Sequence, residues 1–231
     1  MGIGFSRENL LSYVAEDEEA RENRQDFLQT LVNELCIYIR NFSIQEYGHK
    51  IYPNDNDISD MPNEEWFEMI RSGIAVHEKI EKIIEAFYED GDYAWLREGM
   101  VYQYIELAHY YMILGDYDKA LDNIEKCAET AIIFDTDKTG LHTSILVRNL
   151  RKHGDYDFCN YENHAENVRY NQSYRLIHDW FLDENFGILV PVGEKRERKT
   201  YYEFYAPIRE HERFKAVIAN LEKYAKIEKD D

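Results

Sequence analysis

The sequence predicts an all-α fold assembled from antiparallel helix pairs, and two observations carry that expectation. Apolar side chains recur at three- and four-residue steps along most of the chain, the spacing that lays one buried stripe on a helix. Glycines at Gly91, Gly115, Gly140, Gly154 and Gly187 then punctuate the helical stretches where turns are needed. No segment alternates convincingly between apolar and polar residues as a half-buried strand would.

Taken in order, Ser6 is expected to cap a short helix through Leu10, Leu11 and Val14, followed by the charged, solvated stretch EDEEARENR. Phe27, Leu28, Leu31, Val32, Leu35 and Ile39 form the buried stripe of a helix ending near Phe42. Residues 43–62, with Gly48, Pro53, Pro62 and the run NDNDISD, have no apolar period and read as a long connection. After Pro62, Asn63 is expected to cap the next helix, and Glu64 and Glu65 suit the positive end of its dipole. Its inward face runs Trp66, Ile70, Val76, Ile80, Ile83, Ile84 and Phe87. Further helices are expected at about 93–114, 117–133, 141–152, 164–183 and 207–227. The stretch ILVPVG (188–193) has strand-like composition, but Pro191 and its isolation assign it to a loop. EKRERK (194–199) is the one dense basic run, and its two glutamates make it a solvated loop in this reading.

Composition narrows the function. The 231 residues are 44% hydrophobic and 14% aromatic with 4 prolines, enough apolar material for one domain spanning 1–231. With 46 acidic against 27 basic side chains, the net charge of −19 argues against direct nucleic-acid binding and against anionic membrane surfaces. No run approaches the roughly 20 apolar residues needed to span a bilayer. Cys36, Cys127 and Cys159 have neither disulfide-framework nor zinc-ligand spacing, so a reduced cytoplasmic setting is expected.

Residues 101–134, VYQYIELAHYYMILGDYDKALDNIEKCAETAIIF, carry the most specific pattern in the chain. Tyr104, the pair Leu107 and Ala108, Tyr111, the turn GDYDKA from Gly115 to Ala120, and Ile124 fall at the spacing of a tetratricopeptide (TPR) repeat, which the segment resembles over its full length. Small Ala108 and Ala120 allow two helices to approach closely while the aromatic rings fill the remaining space. Cys127 stands where alanine is usual and Ile132 where proline often closes the repeat, and no neighbouring window fits in register. The resemblance implies a TPR-like right-handed superhelical stack with 164–227 as a C-terminal helical cap, because one helix pair cannot cover its own apolar faces. The concave surface would then expose Tyr102, Ile105, His109 and Met112.

A wider resemblance rests on GDYDKALDNIEKCAETAIIFD (115–135), LHTSILVRNL (141–150), PIREHERFKAVIANLEKYAK (207–226) and SRENLL (6–11). Together they look like the C-terminal sensor portion of XRE-type helix-turn-helix regulators of low-GC Gram-positive bacteria. That family's DNA-binding domain normally lies upstream of such a segment. The resemblance implies an effector region that binds a peptide or protein in the groove and shifts helix packing.

For single residues two readings stand together. His109 is either a contact on the inner face or a histidine satisfied by packing. His142, with Thr143 and Ser144, either faces a ligand or belongs to a capping cluster, and Asn149 either donates to a peptide backbone or meets water. His77-Glu78 and His211-Glu212 lack the second histidine of a zinc pair, and GILVPVGEK lacks phosphate-loop spacing. No catalytic residue, metal ligand or cofactor is therefore assigned, and the expectation is a non-enzymatic binding protein whose partner is a peptide or protein, with a homodimer as an option. The alternatives are an adaptor or dimerisation domain that senses nothing, or a TPR-type phosphatase using carboxylates in Glu16–Glu22 or Glu64–Glu68.

Overall fold

The computed structural model describes residues 62–87, 93, 97–136 and 168–229, and these are mostly helical. Helices α1 (Asn63–Phe87), α2 (Arg97–Leu114) and α3 (Tyr117–Thr136) come first. Strand β1 (Val168–Tyr170) and helix α4 (Gln172–Arg175) follow, and α4 runs directly into a π-helical turn, Leu176–Phe181. Strands β2 (Gly187–Val192) and β3 (Lys195–Thr200) precede the short helices α5 (Tyr201–Phe204) and α6 (Ala206–Arg209). Helix α7 (Glu212–Glu222) and strand β4 (Ile227–Lys229) complete the order. The expected helices over 27–42 and 141–152, and the connection before Pro62, lie outside the described residues.

The reversal between α2 and α3 follows from two residues. Gly115 takes a φ of +75°, open to glycine and strained for other L-residues. Its amide donates to Met112 O at 3.1 Å and the Asp116 amide to Tyr111 O at 2.9 Å, the two bonds of a Schellman ending. Asp116 then opens α3: its carbonyl accepts Ala120 N at 3.0 Å and its Oδ1 accepts Lys119 N at 3.4 Å. The helices fold back antiparallel, so that far from the turn Cys127 Sγ reaches Val101 O at 3.3 Å. Ala108, Ala120 and Ile124 are fully buried at this contact, as the small-residue spacing requires.

Helix α2 is the hub. From Met100 to Met112 every side chain except half-buried Tyr102 is buried, the signature of a helix packed on all sides. Helix α1 covers one side through Trp66, Ile70, Ile80 and Ile84. A Cβ on Gly73 would stand 2.8 Å from the Tyr110 ring, so this glycine sets how closely α1 approaches. Two expectations for α1 are corrected. Ile83 is 47% exposed rather than part of the inward face, whereas Ile74 is buried. Asn63 does not cap: Pro62 O accepts Trp66 N at 3.1 Å, and Asn63 Nδ2 donates instead to Gly193 O at 2.6 Å, tying α1 to the β2–β3 turn.

The all-α expectation is also corrected, because two antiparallel two-stranded sheets are present, β1 with β4 and β2 with β3. In the second, Pro191 pairs with Arg196. Proline does not exclude a strand here, since in a two-stranded sheet each strand is an edge and a missing amide can face outward. The basic run is no solvated loop: it forms β3, and buried Arg196 lies over the Trp66 ring at 4.7 Å from its centroid. Within the expected helical cap over 164–227, residues 168–227 form a mixed region of short helices, a π turn and strands.

Polar clasps hold this region to α3. Asp135 accepts Gln172 N, Ser173 N and Ser173 Oγ at 3.0, 2.8 and 2.6 Å, completing the start of α4. Arg213 forks onto Glu125 at 2.7 and 2.7 Å and reaches Asp122 at 2.6 Å. Asn171 caps α4 and also joins the two ends of the region, bonding Tyr224 O and Lys226 N at 2.7 and 3.0 Å. Among the described residues no helix is long and apolar enough to cross a membrane.

Candidate functional site

Tyr102, Ile105, His109 and Met112 recur at steps of three and four along α2 and so share one of its faces. The structure brings these four together but does not leave them open. Ile105 is 0% exposed, His109 1% and Met112 6%, and only Tyr102 keeps partial access. The expected open concave face is thus corrected, and its cover comes from the chain itself. Trp180 of the π turn, together with Tyr201, Phe204 and Tyr205 at α5, surrounds the His109 ring at centroid distances of 5.7, 5.4, 5.6 and 6.0 Å. Tyr201 stacks on the imidazole at 19°, while Phe204 meets it edge-on at 78°. His142 and Asn149 lie outside the described residues.

Local sequence explains how the cover is built. Asn171 starts α4, and the backbone then widens into the π turn, where Leu182 N reaches Ile177 O at 2.9 Å. This places Trp180 on the α2 face while Phe181 is sealed in the core against Tyr205 and Phe214 at 5.4 and 5.7 Å. On the other side of the β2–β3 hairpin, Thr200 and Glu203 form a capping box that starts α5 directly at Tyr201. Gly187, at the base of that hairpin, has no room for a side chain: a Cβ would stand 1.8 Å from Lys199 O.

At the rim, Arg175 donates from Nη2 to Tyr102 Oη at 3.1 Å, and its Nε lies 3.7 Å from Asp179. Tyr102 meets Trp180 edge-on at 6.2 Å. Burial raises the Asp179 carboxyl above its usual range, opposed by Arg175. Tyr170, Tyr174 and His178 continue the aromatic row outward with centroids 4.7 and 4.1 Å apart.

The interior of the seam is electrostatically unusual. His109 Nε2 and Tyr205 Oη are both buried without a hydrogen-bond partner, although buried polar atoms are normally paired. Burial pushes the His109 imidazole down to about 3, so it is neutral, and burial, reinforced by the neighbouring Tyr201, Cys127 and Glu106, pushes the Tyr205 hydroxyl well above its ordinary value. With no hydroxyl, thiol or carboxylate bonded to Nε2, this nitrogen has no group to exchange a proton with. Among the described residues no group of three His, Cys, Asp or Glu could hold a metal ion. The arrangement is suited to holding aromatic side chains against a helix.

Trp180, Tyr201, Phe204, Tyr205 and Arg175 were not anticipated as members of this site. The one signal for them was the aromatic density of YYEFY at 201–205, which contains no indication of where it docks. Compared with family models, with curated proteins and with solved structures, the chain gives no match in any of the three.

Proposed function

We propose that the chain is a partner-binding helical protein, in which the TPR-like α2–α3 pair receives an aromatic-rich peptide or protein segment on the face carrying Tyr102, Ile105, His109 and Met112. In the fuller form of this reading it serves as the effector region of an XRE-type transcriptional regulator, with partner binding changing how the C-terminal region sits on α2. One observation supports it: this face already holds four aromatic side chains, contributed by positions 180–205 of the same chain, around a single helix. A partner would present the same chemistry and compete with that cover, and its binding would shift the balance between covered and uncovered forms. Isothermal titration of the full chain against peptide pools rich in Trp, Tyr and Phe should yield ligands whose binding is weakened by His109→Glu and Ile105→Glu. Ligands indifferent to both substitutions, or no ligand at all, would remove the reading.

The burial of Ile105, His109 and Met112 favours a second reading, an adaptor whose α2 face is permanently filled and whose contacts lie elsewhere. Phe186, 70% exposed, and Tyr202, 38% exposed, are the apolar groups it would use. Sedimentation equilibrium separates the two. An adaptor that dimerises through this patch loses its dimer in Phe186→Ser, whereas the groove reading expects no change.

A further inference from the structure

The seam over α2 is built around an uncharged histidine. His109 is fully enclosed, and the groups facing it are Trp180 from the π turn and Tyr201, Phe204 and Tyr205 from the α5 segment. Glu106, buried one turn earlier on α2, is the carboxylate nearest in sequence, and no acceptor bonds the imidazole Nε2. A proton placed on Nε2 in the closed form would therefore have no hydrogen-bond partner to compensate it.

The Arg213 fork that joins α7 to Glu125 of α3 does not release first, because Arg213 holds the Glu125 carboxyl below its usual range and keeps it ionised in mild acid.

We propose that the aromatic cover over α2 is a proton-sensitive closure, held by neutral His109 and released when that imidazole takes up a proton. The sign follows from proton counting. The closed form keeps His109 neutral, whereas a released imidazole titrates near its ordinary value of about 6.5. Released molecules then bind one more proton, and the ratio of released to closed rises up to about tenfold per pH unit below that value. This deepens the function proposed above, because release would open the face a partner needs, but the closure itself requires no partner.

The test is a pH titration of the full chain from 7.5 to 4.5 by NMR, with labelled Trp indoles and His ring carbons. Trp180 reports the seam, and Trp66, packed under Arg196, reports the α1 side. The closure predicts that Trp180 changes in mild acid while Trp66 holds, and that His109 is protonated only in the released species. His109→Leu should lower the midpoint by at least about one pH unit. Simultaneous change of Trp66 and Trp180, or an unmoved midpoint in His109→Leu, overturns the proposal. Should His109→Leu not fold, a protonated His109 with Trp180 still in place in the unmutated chain overturns it equally. Release as expected with no peptide bound at either pH supports the closure and rejects the binding function.

Discussion

Helix α2 buries a histidine at each of two interfaces, and the two are treated differently. Toward α1, His77 is 0% exposed and donates from Nδ1 to Gln103 Oε1 at 2.7 Å, while Gln103 Nε2 donates back to His77 O at 2.6 Å. Toward the C-terminal region, His109 is just as buried, but its Nε2 bonds nothing and four aromatic rings pack around it. The α1 interface is specified by directional hydrogen bonds, which fail if the helices slide. The C-terminal interface is specified by ring shape and tolerates an orphaned polar atom whose desolvation costs on the order of 1–3 kcal/mol. One side of α2 is thus built for a fixed register, and the other for apolar area with a polar flaw.

That contrast can be broken or sharpened by substitution, and the largest effect is expected at Tyr205. Tyr205→Ala empties the middle of the C-terminal core and should cost about 3–5 kcal/mol in urea unfolding. Tyr205→Phe, which removes a hydroxyl with no partner, should be neutral or stabilising, and a loss above ~1 kcal/mol would show that the hydroxyl is paired after all. Gly73→Ala pushes a methyl group into the Tyr110 ring and should cost about 1–3 kcal/mol, with Tyr110→Leu restoring part of it in the double variant. His77→Leu strands Gln103 and should cost about 1–3 kcal/mol, whereas His109→Leu should change stability by less than ~1 kcal/mol at neutral pH. Equal losses at the two histidines would erase the distinction. Arg213→Ala should cost about 1 kcal/mol or less for a partly exposed ion pair, and thermal melts should show this loss shrinking as salt is added.

Much of the helical core was legible because its signals are local. Gly115 and Asp116 announce a reversal, and the three- and four-residue period places Ala108, Ala120 and Ile124 on the contact. The membership of the α2 face was legible for the same reason, since Tyr102, Ile105, His109 and Met112 share it by helix geometry. What covers it was not, because Trp180 and Tyr205 are 71 and 96 residues beyond His109, and no periodicity encodes a pairing over that distance. The β2–β3 hairpin was hidden differently. Pro191 and the isolation of ILVPVG point to a loop, and KRERKT is charged on both faces, so alternation could not show that Arg196 turns inward onto Trp66. The His77–Gln103 pair joins two ordinary polar residues on separate helices, each unremarkable alone.

The two-residue turn at Gly115 and Asp116 also bears on the order in which the protein is made. A hairpin joined so tightly closes through nearby contacts and should form quickly once both helices are outside the ribosome. Residues 201–205 are translated 65–69 residues after Thr136, a delay of roughly 3–14 s at ordinary elongation rates. During that interval the nascent chain presents Ile105, His109 and Met112 without their aromatic cover. Slow codons between 137 and 200 would lengthen that exposure, making synthesis speed a determinant of how much chain aggregates before it is complete.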